Sequence, residues 1–548
     1  MATFQVDQPE PAAAPAPPSA WSAFLAVAAP NATAFFSSMC IMTVELVAGR
    51  LIARNVGSSI YTWTSVIGVV LAGIAAGNWV GGRLADRFRP RNVLGVLFAV
   101  GSIACLAVPG FNKLVGNWAF LWKQEWPVRI ASHVFLVFFL PSAVLGCIGP
   151  LAAKMALDLG RQVGRTVGNV YAWGAVGSIV GTFLTGFYLI ARMGTTAVLV
   201  SAASFMAIVA LLFGARTLFP YLWAGSSLAF LICTMGPWPW ARTLGIRLGV
   251  VREGFANVIY VDESQYSYIQ VEEEEDPPGL RSMSLDHLIH AYVVMDNETD
   301  LHYDYEQLYE SITRTSVQGK DPAKLRALFL GGGGFVFPRY ILNKFPGSHV
   351  EVAELDPRVT EAAHAAFGLA RDTPMRIHNL DARNHVDDLL RRRARGEHIP
   401  GFDLVYGDAF NHYAVPHHLT TKEFNDKLRD LLTPDGAYLM NIIDIYDSGL
   451  FLGAILNTFG QTFPHVYAFS TFTTGPSNDR NRRDTFVVVG SRKPLAGGVL
   501  KDNVPGSALK PEHLETLRRR SRNIILTDDY APVEQLLEPV IRRADKEG

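Results

Sequence analysis

A run of glycines and an acidic residue stand where a nucleoside-binding site would need them. Four consecutive glycines directly follow the apolar segment Arg326–Leu330, and Glu354 comes 23 residues after the first of them. Glycines let a ligand approach the backbone because no Cβ intervenes, and a carboxylate at about this spacing accepts hydrogen bonds from ribose hydroxyls. The pattern predicts a nucleoside site that includes Gly331, Gly332, Gly333, Gly334 and Glu354.

Two further carboxylates extend this candidate site. Asp381, followed by Ala382, comes just after a third predicted strand, where a carboxylate can meet an adenine amino group. Asp408 ends a fourth predicted strand, at the sheet edge where parallel strands bind ligands. The alternative is a Rossmann-like fold whose glycines serve packing and whose carboxylates merely end strands.

The elements that must position these residues alternate between strand and helix, which is typical of a parallel sheet with covered faces. The predicted strands of this sheet are Arg326–Leu330, Val350–Leu355, Met375–Asn379, Phe402–Tyr406 and Ala437–Ile443, closed by a hairpin of His465–Thr471 and Thr485–Gly490. A helix near Tyr305–Thr315 precedes them. Before it lies a small β region with strands Asn257–Asp262, Tyr266–Glu272, Arg281–Leu285 and Ala291–Met295.

The remainder of the chain has a different composition. Of 548 residues, 49% are hydrophobic and 18% are charged, and the net charge is −1. The residues up to Val250 carry 16 basic and 6 acidic side chains, whereas the rest of the chain has a net charge of −11. A wholly disordered chain, a collagen and a disulfide scaffold are excluded. The four cysteines lie in apolar segments and are interpreted as buried hydrophobic residues.

Apolar stretches of about twenty residues predict membrane spans in this first part. There are seven, near Thr33–Ala53, Tyr61–Gly81, Val93–Phe111, His133–Met155, Gly168–Ile190, Thr196–Gly214 and Leu218–Met235, with an eighth kept open. The predicted domains are a disordered tail (1–20), a transmembrane helical domain (21–250), the small β region (251–318) and a nucleoside-binding catalytic domain with a C-terminal extension (319–548).

Basic loops suggest an orientation in the membrane. By the positive-inside rule, the loops carrying Arg83–Arg91 and Lys154–Arg165 should be cytoplasmic. Seven spans would then place the second half outside, away from an intracellular co-substrate. We therefore expect an even number of spans, a multi-pass protein of the cell inner membrane in contact with lipid, and a cytoplasmic catalytic domain.

The ordered motifs carry a family resemblance. From Asn257 to Gly490 the chain resembles a spermidine synthase, through LFLGGGG, VAELDP, LDAR and FDLVYGDAF. With its membrane half it is similar to bacterial integral-membrane spermidine-synthase-like proteins, through GDAFNHYAVPHHLTTKEF and LTDDYAPVE. The fold class expected is a multi-span α-helical membrane domain followed by an α/β Rossmann-like domain of the spermidine synthase/methyltransferase type, with a small N-terminal β region.

The resemblance implies a polyamine aminopropyltransferase that moves an aminopropyl group from decarboxylated S-adenosylmethionine to an amine such as putrescine, releasing methylthioadenosine. It places Glu354 on the ribose, Asp381 at the adenine and Asp408 as the base. It also implies an amine pocket that involves Tyr303, Asp304, Asn411 and Tyr413. We expect a small polycationic amine as partner, no metal and no nucleic acid. Soluble relatives are dimers or tetramers, so a homodimer is one option.

One departure from the family pattern keeps other functions open. The family places an aspartate, which holds the amine of the co-substrate, at the position of Gly334. Its absence favours a second interpretation, a methyltransferase that uses intact S-adenosylmethionine. A third interpretation is a non-catalytic, transporter-like sensor of polyamine or nucleoside. It is suggested by Glu45 inside a span and by Gly82–Arg87, which resembles a loop motif of major facilitator transporters.

Overall fold

The computed structural model describes most of both halves of the chain. The described residues are 20–213 apart from 58 and 160–161, a few positions between 221 and 240, and 257–547 apart from 287, 410–414, 472–481 and 496–505.

The first half consists of helices. Their bounds are α1 (Ala20–Val56), α2 (Ile60–Arg87), α3 (Pro90–Gly116), α4 (Ala119–Trp122), α5 (Trp126–Gly146), α6 (Ile148–Leu157), α7 (Val163–Leu184) and α8 (Ile190–Leu212), with a π-helical turn, Thr185–Leu189, between the last two. Within the described residues, five helical segments are long and apolar enough to cross a membrane: Val27–Ala53, Ile60–Arg87, Pro90–Gly116, Trp126–Leu157 and Val163–Leu212.

The last of these segments corresponds to two predicted spans. Its 50 residues would extend about 75 Å as one helix, more than twice the hydrocarbon core of a bilayer. Gly194, with φ +74°, interrupts the helical backbone within it. The segment therefore accounts for Gly168–Ile190 and for Thr196–Gly214 up to Leu212, while most of the predicted span Leu218–Met235 lies outside the described residues.

Glycines allow the apolar helices to pack closely. A Cβ on Gly77 of α2 would lie 2.1 Å from the backbone oxygen of Ala143 in α5. A Cβ on Gly177 of α7 would lie equally close to the backbone oxygen of Phe35 in α1. Only residues without a side chain permit such contact between helices, and apolar helices depend on it because lipid supplies no hydrophobic driving force.

The predicted β region forms a four-stranded antiparallel sheet. Its strands are β1 (Val258–Glu263), β2 (Tyr268–Glu273), β3 (Leu280–Leu285) and β4 (Leu288–Val294), paired in chain order. The helix α9 (Asp304–Ser316) follows and leads into the larger domain. These elements agree with the sequence prediction to within a few residues at their ends.

The larger domain is built on an eight-stranded sheet ordered β12-β10-β11-β9-β8-β5-β6-β7. The strands are β5 (Arg326–Leu330), β6 (His349–Ala353), β7 (Arg376–His378), β8 (Phe402–Gly407), β9 (Leu432–Ile445), β10 (His465–Ser470), β11 (Arg483–Ser491) and β12 (Ser507–Ala508). The helices are α10 (Val336–Lys344), α11 (Pro357–Ala366), α12 (Ala382–Ala394), α13 (Lys422–Leu431), α14 (Leu450–Thr462), α15 (Pro511–Arg520) and α16 (Val533–Glu547).

The strand order creates a switch point at β5. The chain runs outward from β5 through β6 to β7, then returns to β8 on the other side of β5, and the five strands from β7 to β9 are parallel. At such a switch point the loops after neighbouring strands diverge and leave a crevice at their carboxyl ends. The predicted hairpin of β10 and β11 is present, and its strand β11 pairs antiparallel to β9. The α/β Rossmann-like fold expected from the sequence is confirmed.

The two halves meet at one end of the helical domain. Arg50 of α1 donates to the backbone oxygen of Ser264 (3.4 Å), the backbone amide of Thr195 donates to Glu263 (3.2 Å), and that of Ile60 donates to Glu534 (3.0 Å). The basic loops after α2 and α6 lie at the opposite helix ends, since α2 alone spans about 42 Å. If these helices cross a bilayer, the basic loops and the second half lie on opposite sides of it, and which of the two is cytoplasmic stays a prediction.

Candidate functional site

The predicted site residues line one cleft at the carboxyl ends of β5, β6 and β8. Its lining includes Gly331, Gly333, Gly334, Glu354, Asp381, Ala382 and Asp408, and Gly332 adjoins it through a hydrogen bond to Glu354. The cleft therefore occupies the crevice that the strand order creates. Residues separated by up to 77 positions in the sequence come together there because parallel strands end at the same edge.

The glycine turn requires its residue type at two positions. Gly331 has φ +103°, and a Cβ on it would lie 2.2 Å from the backbone oxygen of Asp408. Gly334 has φ +65°, and its Cβ would lie 2.7 Å from the Phe367 ring and 2.9 Å from Ala291. An aspartate therefore does not fit at Gly334 without displacing both neighbours. The packing of Phe367 and Ala291 around Gly334 therefore requires glycine where the motif that the sequence resembles has aspartate.

Glu354 is held by two backbone amides. The amide of Gly332 donates to one of its carboxylate oxygens (2.8 Å) and the amide of Asp356 donates to the other (2.9 Å). Burial raises the pKa of Glu354 to about 7, despite these two hydrogen bonds, which lower it. Each oxygen retains a lone pair directed away from the amides, so the group can still accept hydrogen bonds from a diol.

Asp381 caps the helix α12. One carboxylate oxygen accepts from the amides of Arg383 (3.0 Å) and Asn384 (3.1 Å), and the other lies 2.9 Å from Nε2 of His418. The hydrogen bond from His418 lowers the pKa of Asp381, which therefore stays ionised. His418 also lines the cleft. The neighbouring His417 is exposed.

Asp408 is held by side chains rather than by backbone. The Tyr305 hydroxyl donates to its Oδ2 (2.8 Å), and the Asn441 amide donates to its Oδ1 (3.0 Å). Burial raises the pKa of Asp408, whereas the hydrogen bonds from Asn441 and Tyr305 lower it. A buried carboxylate with a raised pKa is suited to accept a proton from a substrate near neutral pH. No motif in the sequence pointed to Asn441 as a partner of Asp408.

The predicted amine pocket is only partly described. Tyr303 lies beside the cleft, with its ring 5.1 Å from that of Tyr305 and its hydroxyl donating to the backbone oxygen of Ile289 (3.2 Å). Asp304 is exposed in the first turn of α9. Asn411 and Tyr413 lie outside the described residues. These four assignments remain predictions.

The cleft also includes a histidine of the small β region, His290. His290 of β4 lines it, and the Nε2 atom of His290 is buried without a hydrogen-bond partner among the described residues. Burial lowers the pKa of His290 to about 4, so the ring is neutral. It adjoins Ala291, whose Cβ packs against Gly334. A neutral imidazole near this glycine offers a polar contact to the part of a ligand beyond the nucleoside.

A further polar network lies at the cleft edge nearest the membrane helices. The Oδ2 atom of Asp356 accepts from the hydroxyls of Ser264 and Ser267, the latter at 3.3 Å, and Oδ1 accepts from the amide of Arg358 (2.9 Å). Ser264 and Ser267 belong to the turn between β1 and β2. This turn thus connects the small β region to the residues that follow Glu354.

Outside the cleft, Glu351, His378 and His385 bring three metal-ligand atoms within 4.8 Å of one another. The other oxygen of Glu351 lies 3.6 Å from Arg326 and 3.5 Å from Arg376. Two guanidinium groups already compensate the single carboxylate, and adding a divalent cation would leave uncompensated positive charge. We therefore interpret this cluster as an ion-pair network. The expected absence of a metal remains a prediction.

Known proteins resemble the chain over its second half. It is 27% identical to the polyamine aminopropyltransferase of Vibrio vulnificus over 249 residues, which is 42% of this chain and 77% of that protein. It is 30% identical to the eEF1A lysine and N-terminal methyltransferase of Xenopus laevis over 142 residues, which is 26% of this chain and 20% of that protein. No protein-family model matches.

A solved structure described as a probable spermidine synthase from Corynebacterium glutamicum covers 51% of this chain, at 21% identity and a TM-score of 0.43. The match to the Vibrio vulnificus protein, which covers 77% of that protein, indicates that the chain is homologous to polyamine aminopropyltransferases, and it is a transferase. Its match to the methyltransferase spans about a fifth of that relative's length.

Proposed function

We propose that the protein is a membrane-embedded polyamine aminopropyltransferase. It transfers the aminopropyl group of decarboxylated S-adenosylmethionine to an amine such as putrescine and releases methylthioadenosine. The observation that carries this proposal is the buried Asp408 in the same cleft as Glu354 and Asp381. Homology to the aminopropyltransferase of Vibrio vulnificus supports it.

The reaction is a displacement at carbon. The amine nitrogen attacks the aminopropyl carbon bound to the sulfonium, a C–N bond forms, and the C–S bond breaks with its electrons going to sulfur. The amine must be unprotonated to attack, and a buried carboxylate with a raised pKa, here Asp408, is suited to bind the ammonium form and take one proton from it. After attack the product nitrogen keeps its surplus proton and leaves as a secondary ammonium group.

The remaining cleft residues orient the nucleoside. Glu354 accepts hydrogen bonds from the two ribose hydroxyls, and Asp381 lies where it meets the adenine amino group. The glycine turn lets the sulfur and its substituents pass close to the backbone beside Asp408. Such positioning brings nucleophile, carbon and sulfur into line, which is the main requirement of a displacement that uses no covalent enzyme intermediate.

The test is direct. The full-length protein, purified in lipid nanodiscs, is incubated with decarboxylated S-adenosylmethionine and a panel of diamines, polyamines and monoamines, and methylthioadenosine is measured by mass spectrometry. We expect methylthioadenosine to form with at least one amine, together with an equal amount of aminopropylated product. Failure of every amine to yield methylthioadenosine would contradict the proposal.

A second candidate is a methyltransferase that uses intact S-adenosylmethionine. It is favoured by the packing at Gly334, which leaves no room for the aspartate that would bind the aminopropyl amine, and by the match to the Xenopus laevis methyltransferase. The two functions differ in their product nucleoside. Tighter binding of S-adenosylhomocysteine than of methylthioadenosine, with methyl transfer from S-adenosylmethionine, would favour this alternative.

The membrane location belongs to the same proposal. The five apolar segments support a multi-pass protein of the inner membrane in contact with lipid. The non-catalytic alternative, a transporter-like sensor, predicts that ligand binding is retained while no product forms with any donor. The amine panel therefore distinguishes this alternative as well.

A further inference from the structure

The turn between β1 and β2, residues Glu263–Ser267, is fastened to the membrane helices from one side. Arg50 of α1 donates through one guanidinium nitrogen to the backbone oxygen of Tyr266 and through the other to that of Ser264. The Gln265 amide donates to the backbone oxygen of Phe187 in the π-helical turn (3.3 Å). At the start of α8, the Thr195 amide donates to the Glu263 carboxylate. Three helical segments therefore hold this turn.

From its other side the same turn forms part of the cleft. Tyr266 and Ser267 line the cleft, and the hydroxyls of Ser264 and Ser267 both donate to Asp356. The amide of Asp356 in turn donates to Glu354. Hydrogen-bonded groups thus run without a gap from a guanidinium on a membrane helix to the carboxylate placed at the ribose.

Charge and packing both indicate that this attachment determines the position of the turn. Burial raises the pKa of Asp356, and the hydrogen bonds from the two serine hydroxyls and the positive charge of Arg50 oppose this rise and so stabilise the ionised carboxylate. At Gly194, a Cβ would lie 2.8 Å from the Glu263 carboxylate, so the helix break leaves space for that side chain alone. A lost donor at Arg50 would leave two backbone carbonyls of the turn to water, and the turn would be free to shift.

We propose that Arg50 is a positioning residue for the nucleoside cleft, so that the membrane domain sets the affinity of the site for its co-substrate through the turn Glu263–Ser267. The inference rests on the proposed function only for the identity of the nucleoside. It implies that the membrane half forms the outer wall of the site. Arg50 touches no reacting atom, so its loss should weaken nucleoside binding much more than it slows the chemical step.

The experiment uses the full-length protein in nanodiscs and two readouts. Binding of methylthioadenosine and of S-adenosylhomocysteine is measured by calorimetry, and kcat and KM for the donor are measured where turnover is found. For Arg50→Ala we expect nucleoside affinity to fall by about tenfold or more and kcat to change less than about threefold. Arg50→Lys, which retains the charge and one donor group, should recover part of the affinity.

Arg192→Ala is the matched control. Arg192 lies at the same end of the helical domain, and its guanidinium stacks 4.1 Å over the Tyr188 ring one helical turn earlier. It should bind nucleoside like the wild type. Ser267→Ala interrupts the path on the cleft side, at the hydrogen bond to Asp356, and should reproduce a smaller part of the loss. If a thermal unfolding experiment shows that Arg50→Ala does not fold, the inference is tested with Arg50→Lys and Ser267→Ala instead.

Unchanged nucleoside affinity in Arg50→Ala, or an equal loss in Arg192→Ala, would overturn the inference. A tenfold or greater loss of kcat with unchanged nucleoside affinity would overturn it too, because Arg50 would then act on the chemical step and not on binding. Absence of aminopropyl transfer would contradict the proposed function. The nucleoside affinities of the wild type and the variants could still be compared, so the inference about Arg50 would still be tested. A wild type that binds neither nucleoside contradicts both proposals.

Discussion

The two ends of the cleft hold their carboxylates in different ways. At the nucleoside end, Glu354 and Asp381 each accept hydrogen bonds from two backbone amides near them in sequence or on the adjoining turn. At the reacting end, Asp408 accepts from Tyr305 and Asn441, which lie 103 and 33 residues away.

The difference separates what the fold itself supplies from what particular side chains add. Backbone amides at a strand end or a helix start are present whatever the neighbouring side chains are, so a carboxylate there binds in the same way in many proteins of this fold. Partners contributed by distant side chains can change while the fold persists. We therefore expect mutations at the reacting end to alter rate, and those at the nucleoside end to alter affinity.

The largest effect should come from Asp408→Asn. The amide cannot accept a proton from the amine, so we expect turnover to fall by about 10²- to 10⁴-fold. Methylthioadenosine should bind nearly as before, because the proposed function places the amine, and not the nucleoside, against Asp408. The measurement is a steady-state assay beside calorimetry, with exposed Asp372→Asn as control. If Asp408→Asn loses as much methylthioadenosine affinity as turnover, the two ends of the cleft do not have separate roles.

A smaller effect is expected from Glu354→Gln. Two charge-assisted hydrogen bonds to the ribose are weakened, which should lower methylthioadenosine affinity by about 10- to 100-fold. The pH dependence adds a second signature. Since burial raises the pKa of Glu354 to about 7, the ionised form that accepts from the ribose is lost as the pH falls through that value.

Wild-type affinity should therefore be lower at about pH 6 than at about pH 8, and the Gln variant should lack this dependence. Calorimetry at both pH values checks it. An affinity that changes with pH equally in both proteins would assign the titration to another group.

The smallest effect should follow Tyr305→Phe, which removes one hydrogen bond to Asp408. We expect turnover to fall by about 2- to 10-fold with unchanged nucleoside affinity. The lost donor raises the pKa of Asp408 further, so the acidic limb of the rate profile should move to higher pH. Tyr309→Phe removes a buried hydroxyl one turn along α9, bonded to the backbone of Gly407 (3.4 Å), and is the matched control. If the acidic limb of the rate profile does not move in Tyr305→Phe, Tyr305 does not influence the pKa of the catalytic base.

The site residues that could be predicted share a local origin. The glycine run, Glu354, Asp381 and Asp408 each follow a strand whose apolar pattern is visible in the sequence, and the strands formed where expected. Asn441 and Asp356 gave no such signal, because their roles depend on which elements lie opposite one another.

The membrane half shows the same division. Apolar length predicted long helices that could cross a membrane, and the structure has five such segments among its described residues. The sequence determined that an apolar helical half is joined to a Rossmann-like transferase, because periodicity, composition and motif spacing are local properties. Only the tertiary structure decided which helix ends meet the catalytic half, what holds Asp408, and that Arg50 fastens the turn beside the cleft. These are contacts between segments distant in the chain, and hydrogen bonds between such segments form only when packing brings them together.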